Sequence, residues 1–262
     1  MTFFSRSLIA VAAVASSVAA AQAQAGVVNG RFTAGLTGWQ TLGDASVQNA
    51  SNAVGLPLDT SRALVLTTAS LYDDDVAGQD AAFNLSGIGA VDVNSAGGVA
   101  EFAHADPTSL ELDPVAHSIS AIEGSAARRT LTVQAGDTLS FNWNLFSRDR
   151  DMPDTAWLIL DLHTGPAQVI TLASAAAATQ PLPGGADALQ QSGWQSFRHT
   201  FTSGGAATLT WAIADMNDWG QTSMLALSTV QVTPSVPEPA SLLLMLAAGG
   251  AVGVQRRASR QK

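Results

Sequence analysis

Short β-branched and aromatic runs, interrupted every few residues by turn formers, constrain this chain more than any other feature. Ser61–Thr67, Ala127–Val133, Thr138–Leu145, Ala156–Leu162, Gln168–Leu172, Gln195–Thr202, Ala207–Ala214 and Met224–Val232 are separated by Gly, Asn, Asp, Ser and Pro. In Thr130-Leu131-Thr132-Val133 and in Thr208-Leu209-Thr210-Trp211-Ala212-Ile213, apolar residues alternate with small or polar ones. That period gives a strand one face for a core and one for solvent. Gln134-Ala135-Gly136-Asp137, between two such runs, reads as a turn. No long stretch holds a 3.6-residue period. Ala173–Thr179 is Ala-rich, but Pro181 and Pro183 confine it to a turn or two of helix at most. The pattern predicts an all-β antiparallel β-sandwich, with no fixed-period repeat.

Both ends of the chain depart from this pattern. Arg6 precedes the apolar stretch Leu8–Ala21, and Ala23-Gln24-Ala25 is a small-x-small site before Gly26. This is the build of a signal peptide for the Sec translocon over residues 1–25, with Ala21-Gln22-Ala23 as an alternative cut. At the other end, Val236-Pro237-Glu238-Pro239 is followed by the uncharged run Ala240–Val254 and then by Arg256, Arg257, Arg260 and Lys262. The two prolines fix φ and hold their preceding residues extended. An apolar run cannot rest in water, and a basic tail keeps its far end in the cytoplasm. Fifteen helical residues reach roughly 22 Å, short of a ~30 Å hydrocarbon core. Length alone therefore also fits a buried core helix; the position, the Pro pair and the basic tail speak for a membrane helix.

That order resembles the PEP-CTERM sorting signal of Gram-negative bacteria. The resemblance implies processing by an exosortase, an inner-membrane-anchored precursor with a single transmembrane helix, and a final place at the cell surface or in the extracellular matrix. The expected organisation is a signal peptide (1–25), a sandwich domain (26–233) and a sorting signal (234–262).

Between the two targeting segments lie seven arginines, no lysine and twenty acids, a net charge of −13. Such a surface repels nucleic acid and anionic lipid and leaves divalent cations and neutral glycans as partners. Acidity also serves solubility alone. The chain has no cysteine, so an exported fold must rest on its core.

Several motifs resemble a second family. Val28-Asn29-Gly30-Arg31-Phe32 with Leu36-Thr37-Gly38-Trp39 is similar to the N-terminal element of carbohydrate-binding-module-like jelly rolls. Ser192-Gly193-Trp194-Gln195-Ser196-Phe197, Thr200-Phe201 and Ala207–Asp215 resemble their C-terminal strand pair, and Ala135–Trp143 is similar to the central strand of PEP-CTERM jelly-roll proteins. The resemblance implies a jelly-roll-like sandwich. Calcium-bearing members also place an acid after the first Asn-Gly and an Asp in a late strand. Here Arg31 and Thr33 stand at the first place and Ser228 at the second. A serine does not replace a carboxylate as a strong ligand for a hard cation. No cofactor is expected from that site.

Other acids are candidate calcium ligands: Asp73, Asp74 and Asp75, and Asp149, Asp151 and Asp154 beside Arg148 and Arg150. Neither group has EF-hand spacing, and calcium needs six to eight oxygens. His104, His117, His163 and His199 lie scattered, without HExxH or GxSxG. A glycosidase pair would have to draw on Glu101, Glu111, Glu123 or an Asp. Six Trp stand against one Tyr, and glycan-binding sandwiches present aromatic faces to sugar C–H groups. Trp143, Trp157 and Trp211 lie within apolar strands and are expected in the core. Trp219 and Trp39 fall in loops, so the candidate glycan contacts are Trp219, Asp215, Asn217, Asp218 and Trp39. The expectation is a non-catalytic structural or adhesive protein associated with exopolysaccharide. The alternatives are a module with one defined glycan ligand and, less favoured, a glycan-active enzyme.

Overall fold

The computed structural model describes residues 26–51, 54–71, 81–112, 119–150, 152–182 and 189–235. The signal peptide, the sorting motif, its apolar run and basic tail, Asp73–Asp75, His117 and Asp151 lie outside them. No helix among the described residues is long and apolar enough to cross a membrane.

Two antiparallel sheets face each other. In the first, the order is β1 (Gln40–Leu42), β5 (Ala121–Val133), β12 (Gly205–Met216), β7 (Thr155–Asp161), β8 (Gln168–Ser174), with β4 (Val91–Asp92) also on β5. The second runs β2 (Ala45–Asn49), β3 (Arg62–Thr67), β13 (Ser223–Thr233), β6 (Thr138–Ser147), β10 (Gln190–Gln191), β9 (Gln180–Pro181), with β11 (Gln195–Thr200) also on β6. The chain changes sheet at β1–β2, β3–β4, β5–β6, β6–β7, β8–β9, β11–β12 and β12–β13, the switching a jelly roll uses. The expected antiparallel sandwich is the fold. The Ala-rich stretch forms only a 3-10 turn at Ala175–Ala177, whereas a five-residue helix, α1 (Val99–Ala103), arises in a Gly/Ala-rich stretch that reads as loop.

The strand period places the core. Leu209, Trp211 and Ile213 of β12 point between the sheets and meet Leu158 and Leu160 of β7, Phe141 and Leu145 of β6, and Leu225 and Leu227 of β13. Trp143, Trp157 and Trp211 are buried, as their strands predict. Trp211 meets Phe141 edge-on at 5.3 Å between ring centroids, a geometry worth about 0.5–1.5 kcal/mol beyond the area buried.

Alternate residues form a second layer outside each sheet. Ala126, Trp157, Ile159, Ala212 and Ala214 carry α1 through Val99, Ala100 and Ala103. On the other sheet, Val65, Phe146, Met224 and Ala226 are covered by Leu56, Phe83, Leu182 and Leu189. Both faces of the long strands are therefore apolar over much of their length, which is why their sequences alternate less than those of a half-solvated sheet.

The N-terminal Asn-Gly element locks onto the sandwich. Asn29, at φ 60°, donates through its amide to Gly35 O (2.7 Å) and accepts from Ala34 N (3.0 Å). Gly30 O accepts from Val230 N at 2.9 Å, and a Cβ at position 30 would collide with the Val230 carbonyl. Trp39 is not the loop platform that its position implies. It is 8% exposed and packs 5.2 Å from Phe32 and 5.5 Å from Trp211, because the Asn29 turn folds the segment back onto the core.

Candidate functional site

The sandwich has two unlike ends. One is closed by the β5–β6 turn, where Ser235 N donates to Asp137 Oδ1 (2.9 Å) and the chain leaves toward its C-terminus. The other carries the β6–β7 loop, the β12–β13 loop and the segment after β3, tied to β13 through Thr68 N to Ser223 O (3.0 Å). The eleven residues of β13 separate the ends by roughly 33 Å at about 3.3 Å per residue.

Trp219 stands on this second end and is 49% exposed. Its loop is held in a fixed shape by its neighbours. Asn217 (φ 65°) accepts from Ser120 N through Oδ1 (2.7 Å) and donates its own N–H to Ser120 O (2.9 Å). Asp218 Oδ1 accepts from Gly220 N at 3.1 Å. Asn217 and Asp218 thus shape the loop, and Trp219 is the group it offers to solvent. Leu71, Ile88 and Met152, also exposed, lie in loops at the same end.

Asp215, expected beside Trp219 as a glycan contact, is not on the surface. Asp215 continues the inward row of β12 set by Leu209, Trp211 and Ile213, between the sheets, where it is 1% exposed. There it faces Asp154, also fully buried. The inward rows of five segments change from apolar to polar at this level. Ile213 gives way to Asp215, Ala156 to Asp154, Leu145 to Ser147, Leu225 to Ser223 and Leu66 to Thr68. Asp154 Oδ2 accepts from Ser223 Oγ (2.5 Å), Ser223 Oγ also meets Ser147 Oγ (2.8 Å), and Met216 N approaches Asp154 Oδ1 at 3.3 Å. Neither oxygen of Asp215 has a donor in hydrogen-bonding geometry; the Thr68 hydroxyl is the donor that approaches it. Burial above all, and then the facing carboxylate, push Asp215 well above the ordinary carboxylate range, and the Thr68 hydroxyl pulls its pKa down only in part. Burial does the same to Asp154, with Asp149 adding to it. Of the acids expected to bind metal, Asp149 and Asp154 are thus buried rather than on a solvated loop.

A second polar cluster was invisible in sequence. His104, in left-handed backbone at the end of α1, and His163, left-handed in the β7–β8 turn, converge on Asp161 at the end of β7. His104 Nδ1 lies 2.8 Å and His163 Nδ1 2.9 Å from Asp161 Oδ2, and His163 N donates to Oδ1 at 2.7 Å. Burial raises the Asp161 pKa, but the imidazoles and that N–H outweigh it, so the carboxyl sits below its usual range.

Two imidazoles and a carboxylate are ligands that suit zinc, nickel or copper, but the surroundings oppose an ion here. Arg128 Nη1 stands 3.2 Å from His104 Nε2 and can only donate. Nε2 is therefore the acceptor, and Nδ1 carries the hydrogen given to Asp161. A metal on Nδ1 would force a hydrogen onto Nε2, against the guanidinium. Thr208 Oγ1 lies 3.1 Å from His163 Nε2, so Thr208–His163–Asp161 has the connectivity of a nucleophile, base and orienting acid. Thr208, however, is 3% exposed in mid-strand and meets Thr130 Oγ1 at 3.0 Å, out of reach of a substrate. The cluster fastens α1 and the β7–β8 turn to the sheet.

The remaining candidates separate. His199 lies half-buried on β11, 5.2 Å edge-on to Phe201, and burial lowers its pKa. Glu101 caps α1 by accepting from Gly97 N (2.7 Å), and Glu123 on β5 accepts from Ser70 Oγ (2.9 Å). They do not face each other across a cleft. Arg31, Thr33 and Thr229 do come together, lining a cleft of about 350 Å³ and its neighbour of about 330 Å³, with no carboxylate among the described lining residues. Ser228 Oγ donates instead to Asp59 Oδ2 (2.9 Å).

Residues 235–261 match the PEP-CTERM protein-sorting motif. That motif marks an exported, exosortase-sorted protein whose precursor is membrane-anchored and directed to the cell surface. No curated protein matches the chain by sequence. Among solved structures it is similar to TmCBM61 in complex with beta-1,4-galactotriose, at 10% identity and a TM-score of 0.40 over 79% of this chain and 97% of that one. It is also similar to the CBM22-1–GH10 modules of the Clostridium thermocellum endo-1,4-beta-D-xylanase 10B complexed with xylohexaose, at 11% identity and a TM-score of 0.30. That match covers 78% of this chain and 27% of the xylanase, so the chain spans about a quarter of that protein.

Proposed function

We propose that this chain is a non-catalytic surface or matrix protein, structural or adhesive, that associates with exopolysaccharide through its Trp219 end. One observation carries the reading. A large aromatic side chain, half exposed, is held on a pinned loop at the end opposite the one from which the chain runs to its sorting motif. Anchored from that side, the precursor would hold Trp219 away from the membrane. The flat indole face offers an apolar surface to sugar C–H groups at little entropic cost, since the loop is already fixed. The seven arginines and twenty acids outside the targeting segments favour a neutral glycan over an acidic one.

Affinity electrophoresis in gels containing the host's own exopolysaccharide tests this. The protein should be retarded, and Trp219→Ala should migrate as in a gel without polysaccharide. Equal migration of both proteins in both gels would leave a purely structural role. Release of reducing ends, lost on replacing one carboxylate, would make it an enzyme.

A further inference from the structure

We propose that the polar layer closing the space between the sheets, built on Asp154 and Asp215, is a divalent-cation site, and that calcium is the ion it takes. A buried carboxylate is tolerated when donors or a countercharge compensate it. Asp215 has no donor in bonding geometry and faces a second carboxylate. Nothing in the apolar packing requires an acid there: two residues earlier on the same strand the row holds Ile213, fully buried. Asp154 has the Ser223 hydroxyl and Met216 N as donors, yet two buried carboxylates facing each other still need a proton or a cation between them.

The surroundings favour the cation and indicate its type. Among the described residues the side chains that bond to this pair or to one another at this level offer oxygen: the Ser147 and Ser223 hydroxyls, 2.8 Å apart, and Thr68 Oγ1, which accepts from Ser223 N at 3.0 Å. An all-oxygen set without imidazole or sulfur suits a hard ion better than zinc or copper. Asp149, 2% exposed in the β6–β7 loop, adds negative charge close to Asp154. The lysine-free domain brings two arginines to that loop. Arg150 donates to the Asp149 and Ser147 carbonyls (2.9 and 3.5 Å), and Arg148 lies 5.0 Å over the Phe83 ring. This place is distinct from the Arg31, Thr33 and Ser228 positions, where the carbohydrate-binding-module-like resemblance would put calcium.

The ligand groups come from the end of β12, the β6–β7 loop, the start of β13 and the segment after β3. An ion among them would tie together the loops at the Trp219 end, four residues beyond Asp215. Only that consequence rests on the glycan reading; the ion site does not.

The purified protein, melted at neutral pH in EDTA and in millimolar calcium, gives the test. Calcium should raise the wild-type melting temperature by roughly 5–10 °C at a hundredfold excess over Kd. Asp215→Asn should show no calcium shift while melting in EDTA at or above the wild-type value. A wild type that ignores calcium would overturn the proposal and leave a pair that shares a proton. An Asp215→Asn protein that keeps the full shift would also overturn it, by placing the ion elsewhere. Should Asp215→Asn not fold, terbium luminescence on the wild type decides: saturable binding displaced by calcium supports the site, and its absence refutes it. Trp219→Ala must keep the calcium shift, so loss of polysaccharide binding and loss of the ion are read separately.

Discussion

Asp44 and Asp215 are buried to the same degree at the same end of the sandwich, yet they are opposite cases. Asp44 accepts from Leu85 N (2.8 Å), Ser86 N (2.7 Å) and Thr67 Oγ1 (2.5 Å), so every donor around it is aimed at the charge. Asp215 has no donor in bonding geometry, only the Thr68 hydroxyl near it, and a carboxylate for a neighbour. The first is an anion the fold itself neutralises, pinning a surface segment to the core. The second is an anion the fold leaves uncompensated. Burial alone therefore does not say what an acid is for; the donor inventory around it does.

Removing each carboxylate should break this contrast in opposite directions. Asp44→Ala leaves two backbone N–H groups and a hydroxyl without their acceptor. At about 1–3 kcal/mol for each stranded group, it should cost at least about 3 kcal/mol in urea denaturation. Asp215→Asn in EDTA at pH 7 should instead stabilise the protein by about 1–2 kcal/mol, since it relieves a desolvated carboxyl pair and keeps an amide oxygen for the Thr68 hydroxyl. A destabilisation as large as that of Asp44→Ala would erase the distinction.

Acidity sharpens the contrast further. Because burial raises the folded pKa values of Asp154 and Asp215, with Asp149 adding to the first and Asp154 to the second, the folded state binds more protons than the unfolded one. Their contribution is fully present below the unfolded carboxylate pKa near 4 and is lost as pH rises through the folded values. In EDTA, melting temperature should therefore fall from pH 4 toward neutrality in the wild type and change less in Asp215→Asn. A wild-type profile as flat as the variant's would contradict the raised pair. The smallest effect belongs to Trp219→Ala, whose stability should stay within about 0.5 kcal/mol of wild type, as for other surface changes.

The sandwich was readable where strands alternate. Thr208–Ile213 lies inside β12, and Met224–Val232 falls one residue inside each end of β13. The reading fails where strands are short and polar, as in Gln40–Leu42 and Gln190–Gln191, or where small residues pass under a covering helix, as in the first six residues of β5. Trp219 was legible because Asp218 and Gly220 mark a loop. Asp215 was not: β12 runs two residues past Ala214, where the apolar run stops, and its inward row of Leu209, Trp211 and Ile213 continues onto an acid that reads as the start of a loop. Trp39 failed through the Asn29 turn. His104 and His163 lie 57 and two residues from Asp161 in the chain and meet it through strand order and two left-handed backbones. Spacing could not disclose that convergence.

Calorimetric titration of calcium into EDTA-stripped wild type and Asp215→Asn proteins at pH 7 tests the central contrast most directly. Wild type should bind one ion per chain at the Asp154–Asp215 level, and Asp215→Asn should give only heats of dilution. No binding by the wild type, or binding unchanged by Asp215→Asn, would contradict the assignment of Asp215 as the uncompensated anion of an ion site.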